Sequence, residues 1–393
     1  MALEVGIVGL PNIGKSTLFS SLTKVKAEAA NYPFCTIDPN IGIVQLRDPR
    51  MKRLIELVTP DRIVPATLQV VDIAGLVKGA SQGEGLGNKF LSHIRQVHAV
   101  AHVVRCFEDQ NVVHVEGLID PIRDVEVIQT ELILSDLEQT ERKIERLSRQ
   151  LKSDSSLAPQ ITIFERLRDF LGEGKFARRM EFSEEERTLI AELNLLTMKP
   201  YLYIANISED GLKNQEDHLE RLNELALAEG VEVIPICAQV ESELAEMEDE
   251  ESELFMEELG INSSGLDQLT NSGYRMLDQI TYFTAGKQEV RAWEIQKGTT
   301  APEAAGKIHT DFEKGFIRAE VFHFDDIDRL GSESSIKEAG KWRLEGREYV
   351  VQDGDIMHFR FNVQHLSINK LRIAKEFTFA FSLFTKVDLL TFQ

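Results

Sequence analysis

The sequence predicts an α/β protein: a parallel sheet carrying a phosphate-binding loop, interrupted by a helical hairpin and followed by a small α+β domain. Three observations predict it. Apolar strand-like runs at residues 5–8, 67–73, 100–107, 201–207 and 231–237 alternate with helical stretches, as in βαβ units whose strands are buried on both faces. A glycine-bearing turn, Gly9-Leu10-Pro11-Asn12-Ile13-Gly14-Lys15-Ser16, follows the first run. From residue 125 the pattern changes to long charged stretches with helical spacing, and from residue 282 to short alternating runs.

The first element is the strand 5–8, and Thr17-Leu18-Phe19-Ser20-Ser21-Leu22 has helical periodicity, so the glycines fall in a strand-to-helix turn. In such a turn the backbone N–H groups face an anion at the helix N-terminus. Lys15 is then placed to reach β- and γ-phosphates, and the Ser16 hydroxyl to ligate Mg²⁺. The run 67–73 ends in Asp72-Ile73-Ala74-Gly75, where Asp72 serves the Mg²⁺ hydration shell and the Gly75 N–H meets the γ-phosphate. Between these elements lies Asn31-Tyr32-Pro33-Phe34-Cys35-Thr36, with Thr36 positioned to close on Mg²⁺. Gly79, Gly83, Gly85 and Gly87 then give the following segment the freedom a nucleotide switch needs.

Two positions depart from the usual GTPase pattern. Leu76 stands where many GTPases carry a glutamine that orients the attacking water, so hydrolysis must be slow or recruit another group. His114, after the strand 100–107, is the first candidate for that group; His93 and His98 are weaker ones. The strand 201–207 runs into Asn206-Ile207-Ser208-Glu209 rather than Asn-Lys-x-Asp. Ile207 lacks a cationic stem to cover the base, and Glu209 sets its carboxylate one methylene further out. A site without the guanine-matching carboxylate loses its discrimination against adenine, so ATP should bind at least as well as GTP. Asn206 remains a candidate base reader, and Cys237-Ala238 takes the place of a Ser-Ala backbone contact to the base.

The helical hairpin is expected from residues 125–151 and 161–195, with a turn at 153–159. Helix 265–277 is expected to lead into the last domain, whose strands should cover 290–295, 316–324, 349–351 and 355–363. Basic residues on the hairpin (Arg142, Lys143, Arg146, Arg149, Lys152, Lys175, Arg178, Arg179) and in the last domain (Lys287, Arg291, Lys297, Lys307, Lys314, Arg318) form two possible RNA-facing patches. The acidic stretch 241–258 reads as a solvated helix face.

Composition narrows the setting. The 393 residues carry a net charge of -21, which argues against a general nucleic-acid coat. The 3 cysteines form no Cys-x-x-Cys pair, so neither a disulfide framework nor a zinc site is indicated. No leader pattern or long uncharged segment is present in this sequence, and a cytoplasmic protein without membrane partners is expected.

Taken in order, Gly-Leu-Pro-Asn-Ile-Gly-Lys-Ser, Asn-Tyr-Pro-Phe-Cys-Thr-Ile, Asp-Ile-Ala-Gly-Leu-Val-Lys-Gly-Ala-Ser, Gly-Glu-Gly-Leu-Gly-Asn and Asn-Ile-Ser-Glu resemble the Obg-like ATPase (YchF) family of P-loop NTPases. The resemblance implies a G-domain (1–124 and 199–277), an inserted helical coiled-coil domain (125–198) and a C-terminal TGS domain (278–363). It also implies preference for ATP, slow hydrolysis and a ribosomal partner. By position, Asn12, Ile13, Gly14, Lys15, Ser16 and Thr17 would contact phosphates, Thr36 and Asp72 the Mg²⁺, and Asn206 and Glu209 the base. Leu76 matches the family's apolar substitution, and His114 a histidine often found in a mobile loop. Asn12 also matches a position associated with K⁺ in related enzymes. Residues 364–393 extend past the usual family end, with Phe377, Phe379, Phe381 and Leu383 alternating with Thr378, Ala380 and Ser382; a monomer is expected unless this extension self-associates. Two other readings are a nucleotide-dependent stress or redox regulator acting through Cys35 with incidental hydrolysis, and a conventional GTPase.

Overall fold

The computed structural model describes residues 4–24, 40–73, 86–108, 118–214 and 217–362. Its strands in chain order are β1 Glu4–Val8, β2 Ile41–Gln45, β3 Arg62–Val64, β4 Thr67–Asp72, β5 Ala99–Arg105 and β6 Tyr201–Asn206. They continue with β7 Val233–Ile236, β8 Gln279–Ala285, β9 Glu289–Gln296, β10 Phe316–His323, β11 Arg343–Glu345 and β12 Asp355–Phe361. The chain forms two compact units, Met1–Val44 with Leu68–Leu277 and Gln45–Thr67 with Asp278–Gln393.

The first unit holds a six-stranded sheet of order β2-β4-β1-β5-β6-β7. β1 runs parallel to β4 and β5, β5 to β6, and β6 to β7. Every residue of β5 and β6 is buried, which is why both are mostly apolar, with His102, Arg105 and Asn206 as the polar exceptions. β1 lies between strands that precede and follow the crossover, so the loop after Val8 emerges at the sheet's carboxyl edge, where open α/β sheets bind ligands.

The inserted segment begins with the helix Pro121–Leu151, 31 residues long, with Pro121 in its first turn. Val125, Ile128, Leu132 and Leu147 are buried in the same core as Ile161, Phe164, Leu167 and Leu171 of the helix Ala158–Gly172. The single run expected over 161–195 is broken: Gly174 turns with φ 77°, and a capping box of Ser183 and Glu186 starts a separate helix, Glu184–Ala191.

One charge reading is corrected here. Glu241 is no solvated acid: it is buried and accepts the N–H groups of Gly265 at 2.6 Å and Leu266 at 3.4 Å, capping the helix Gly265–Met276. Much of the hairpin's basic set is internally neutralised: Arg142 pairs with Glu138, Lys143 with Glu192, Arg149 with Glu145 and Lys175 with Glu173. Arg178 lies against the rings of Phe176 and Tyr201.

The second unit has its own six-stranded sheet, ordered β11-β10-β12-β8-β9-β3. The sequence reading kept residues 1–124 together, yet β3 pairs in parallel with β9, and residues 45–67 group with this unit. Ionic contacts reinforce the grouping: Arg50 bridges Asp48 and Asp353 at 2.7 Å each, and Arg53 reaches Asp328 at 2.7 Å. Residues 349–351 contribute only an isolated bridge, Thr300 to Val350, rather than the expected strand. The core around Tyr282, Trp293, Ala304, Phe312 and Met357 is separate from that of the first unit. Arg291 lies over Trp293 at 3.8 Å and Lys307 faces Glu294 at 3.8 Å, so this basic patch is also partly spent inside the fold. Among the described residues, no helix is long and apolar enough to cross a membrane.

His102 sits in the middle of β5, 1 % exposed, with its Nδ1 2.6 Å from the Tyr201 hydroxyl. Burial pushes its pKa down to about 3. The unfolded chain protonates this histidine below about 6.5 while the folded chain resists until about 3, so its contribution to stability is lost as pH falls through that window. His102→Gln should therefore remove about 1.4 kcal/mol of the stability lost between pH 7.5 and pH 5.5, measured by urea denaturation.

Candidate nucleotide-binding site

The loop after β1 has the geometry of an anion cradle. Asn12 and Gly14 adopt positive φ, 62° and 77°, and the helix Lys15–Lys24 begins immediately afterwards, presenting its first N–H groups to the loop. Gly9 is required for closeness, since a Cβ there would stand 2.8 Å from the Val103 carbonyl oxygen. Gly14 is required twice, by its φ and because the Asn206 amide occupies the space a side chain would need. Ile13 is a core residue at 1 % exposure, whereas Ser16 and Thr17 are exposed and Lys15 is half-buried. The apolar anchor thus fixes the loop while the chemical groups stay open.

Asn206, which the sequence suggests as a base reader, also braces the loop. Its Nδ2 donates to the Ile13 carbonyl at 2.8 Å, and its Oδ1 accepts the Ala238 N–H at 3.3 Å. One buried amide therefore joins the phosphate loop, the end of β6 and the start of the helix Ala238–Leu244. Glu209 is exposed at the first position of the helix Glu209–Lys213, which Ser208 caps by accepting the Gly211 N–H at 3.0 Å. Ile207 is buried and shares a cavity of about 270 Å³ with Leu219, Cys237, Val240 and Glu241. Cys237 is buried at the wall of that cavity, and desolvation raises its pKa, so it behaves as a small apolar residue.

Asp72 closes β4 in register with Ile7, and its Oδ1 is a buried acceptor without a hydrogen-bond partner among the described residues. An unpaired carboxylate oxygen at this depth is costly, and a hydrated divalent cation is the chemistry that would satisfy it. The donor set of Asp72 and Ser16, all oxygen, suits Mg²⁺. Among the described residues no cluster of three His, Cys, Asp or Glu side chains could hold a metal alone. Thr36, Gly75, Leu76 and His114 lie outside the described residues. His98 is structural: its Nδ1 accepts the Glu4 N–H at 3.2 Å. His93 is an exposed residue of the helix Leu86–Gln96.

Sequence reasoning missed Arg105 and Phe107. Arg105 ends β5 opposite Asn206, fully buried, donating from Nε to the Phe107 carbonyl at 3.1 Å with its guanidinium 4.7 Å from the Phe107 ring centre. The Cys106 N–H donates to the Asn206 carbonyl at 2.8 Å, so the Phe107 ring is held at the same sheet edge. The available signal was a charged residue closing an otherwise apolar strand.

Residues 4–153 match the family model described as a 50S ribosome-binding GTPase, and residues 279–362 match the YchF GTPase C-terminal model, described as a protein of unknown function. A relative from Bacillus subtilis named ribosome-binding ATPase YchF is 56 % identical over 366 residues, spanning 92 % of this chain and 100 % of its own length. The chain belongs to the YchF family. Relatives of the same name from Haemophilus influenzae and Escherichia coli O157:H7 are 54 % and 52 % identical, each over 92 % of this chain and all of theirs. The solved structure of the Schizosaccharomyces pombe YchF GTPase superposes with a TM-score of 0.83 at 41 % identity, covering 91 % of this chain and 97 % of that one. The fold is therefore a P-loop G-domain with the YchF C-terminal domain, as the motifs implied. The relatives' names differ on the nucleotide, ATPase in one set and GTPase in the other.

The Asn206 brace makes a quantitative expectation. Asn206→Ala leaves the Ile13 carbonyl and Ala238 N–H without their partner, so nucleotide affinity should fall about tenfold, about 1.4 kcal/mol, in a fluorescent-nucleotide titration. Affinity unchanged within twofold would show that the brace does not organise the site.

Proposed function

We propose that this protein is a ribosome-associated regulatory ATPase that binds ATP in preference to GTP and hydrolyses it slowly as a conformational switch. The observation that carries the reading is the union of a braced phosphate loop with a base loop lacking Asn-Lys-x-Asp: Asn206 braces Ile13 and Ala238, Ile207 is buried, and Glu209 begins a helix. The relatives named ribosome-binding ATPases supply the reaction class and the partner. The proposed organisation is a G-domain interrupted by the helical insertion, with a TGS-like domain from about residue 278.

In this reading the N–H groups of residues 12–17 hold the phosphates, Lys15 neutralises charge on the β- and γ-oxygens, and Ser16, Asp72 and Thr36 hold Mg²⁺. Bound Mg²⁺ would supply positive charge against that developing on the phosphate oxygens. Gly75 and His114 keep their proposed places at the γ-phosphate and the attacking water, and the Ala238 and Cys237 backbone flanks the base. Asn12 is exposed, and its assignment to K⁺ rests on the resemblance alone. A cytoplasmic location follows from the ribosomal partner.

The deciding measurement is the affinity of the purified full chain for ATP and for GTP with Mg²⁺. ATP should bind at least as tightly; GTP binding tenfold tighter would overturn the preference. Asp72→Asn should weaken the Mg²⁺-dependent part of ATP binding by about tenfold while leaving Mg²⁺-free binding within twofold, the difference being read from titrations with and without chelator.

A further inference from the structure

The helix Leu86–Gln96 is the first described element after β4, the strand that ends at Asp72. Its last turn is bolted to the helical insertion. Arg95 donates from Nη1 to Gln139 Oε1 at 2.6 Å and to the Asn194 carbonyl at 3.2 Å, and from Nη2 to Ser135 Oγ at 2.9 Å. Ser135 and Gln139 lie on the helix Pro121–Leu151, and Asn194 on the segment that returns from the insertion to β6. Contacts in the opposite direction close the joint. Lys199 Nζ donates to the Val97 carbonyl at 2.6 Å and the Arg95 carbonyl at 3.1 Å, and Asn194 Nδ2 donates to the Arg95 carbonyl at 3.3 Å. Asn194 holds φ 45°, a left-handed conformation, where these bonds meet.

The buried partner of this joint is Asp136, with no exposed side-chain surface, 4.0 Å from Arg95. Its two oxygens accept the Leu196 N–H at 3.0 Å, the Thr197 N–H at 2.7 Å and the Thr197 hydroxyl at 2.7 Å. Gln139 also donates to the Leu193 carbonyl at 2.5 Å. The insertion's outgoing helix, its returning segment and the helix Leu86–Gln96 are thus registered to one another by directional bonds. An apolar patch would let them slide; a forked guanidinium with three fixed acceptors moves all of them or breaks.

We infer that Arg95 couples the nucleotide state of the phosphate site to the helical insertion, so that the insertion's shape is set by what the phosphate loop holds. This rests on the switch reading above and adds the route by which it leaves the G-domain. Arg95 is a positioning residue, remote from the loop of residues 9–16, and its loss should leave nucleotide binding intact while uncoupling the insertion.

The test is peptide-resolved hydrogen exchange on the full chain with and without Mg²⁺ and a non-hydrolysable ATP analogue. In the unaltered protein the analogue should slow exchange in residues 9–18, reporting binding, and change it about fivefold or more in residues 132–142 and 193–199, reporting coupling. Arg95→Ala should keep the first effect within twofold and abolish the second; Arg95→Lys should recover part of it. Gln139→Ala, which removes one acceptor of Arg95 and the donor to the Leu193 carbonyl, should reduce the second effect alone. Coupling retained in Arg95→Ala and Gln139→Ala, or an insertion that stays silent in the unaltered protein while residues 9–18 respond, overturns the inference. Residues 9–18 silent toward both ATP and GTP analogues would instead overturn the nucleotide reading and remove the inference with it.

Discussion

The amide of Asn206 is the interaction on which the rest of the site depends. It spans three segments that are 193 and 32 residues apart in sequence, giving the Ile13 carbonyl a donor and the Ala238 N–H an acceptor. A buried polar group is tolerated only when its hydrogen bonds are made, and the same economy explains why Gly14 has no side chain: the amide fills that space. The phosphate loop and the base loop consequently form one object. Neither loop can shift without disturbing a hydrogen bond to the other.

The same logic recurs deeper in the first unit. His102 stays neutral in the central strand beside Tyr201, Asp136 is uncharged more readily than a surface acid because burial raises its pKa, and burial lowers the pKa of Lys199. Each is hydrogen-bonded, and each lies where the sheet meets the insertion or the strands beside it. Such groups contribute little net stability compared with apolar packing, but they fix register, since misplacing any of them leaves a buried donor or acceptor unpaired. That is the physical basis for treating the junction around Arg95 as a joint and the apolar interior of the insertion as filler.

Much of this was legible in the residues. The five long strands, the phosphate loop, the position of Asp72 and the break at residues 153–159 all follow from short-range periodicity and turn chemistry. Less legible were β2, β3 and β11, which are short edge strands, and the end of the insertion's second helix, where Gly174 and the Ser183 cap act locally against an otherwise continuous apolar spacing. Glu241 misled for a related reason: an acidic run looks solvated until a helix N-terminus is folded against one member of it.

By itself the sequence determined what binds phosphate, because a strand, two glycines, a lysine and a serine at fixed spacing generate that site from local geometry alone. It also determined the family, since ordered motifs survive without any contact being known. The tertiary structure alone decided what each side chain is free to do. Asn206 was made a brace between two loops, Phe107 was set at the sheet edge by a buried arginine, and residues 45–67 were committed to the second unit by pairing with β9. These outcomes depend on partners far away in the chain, and no local pattern of residues encodes which buried donor will find which acceptor.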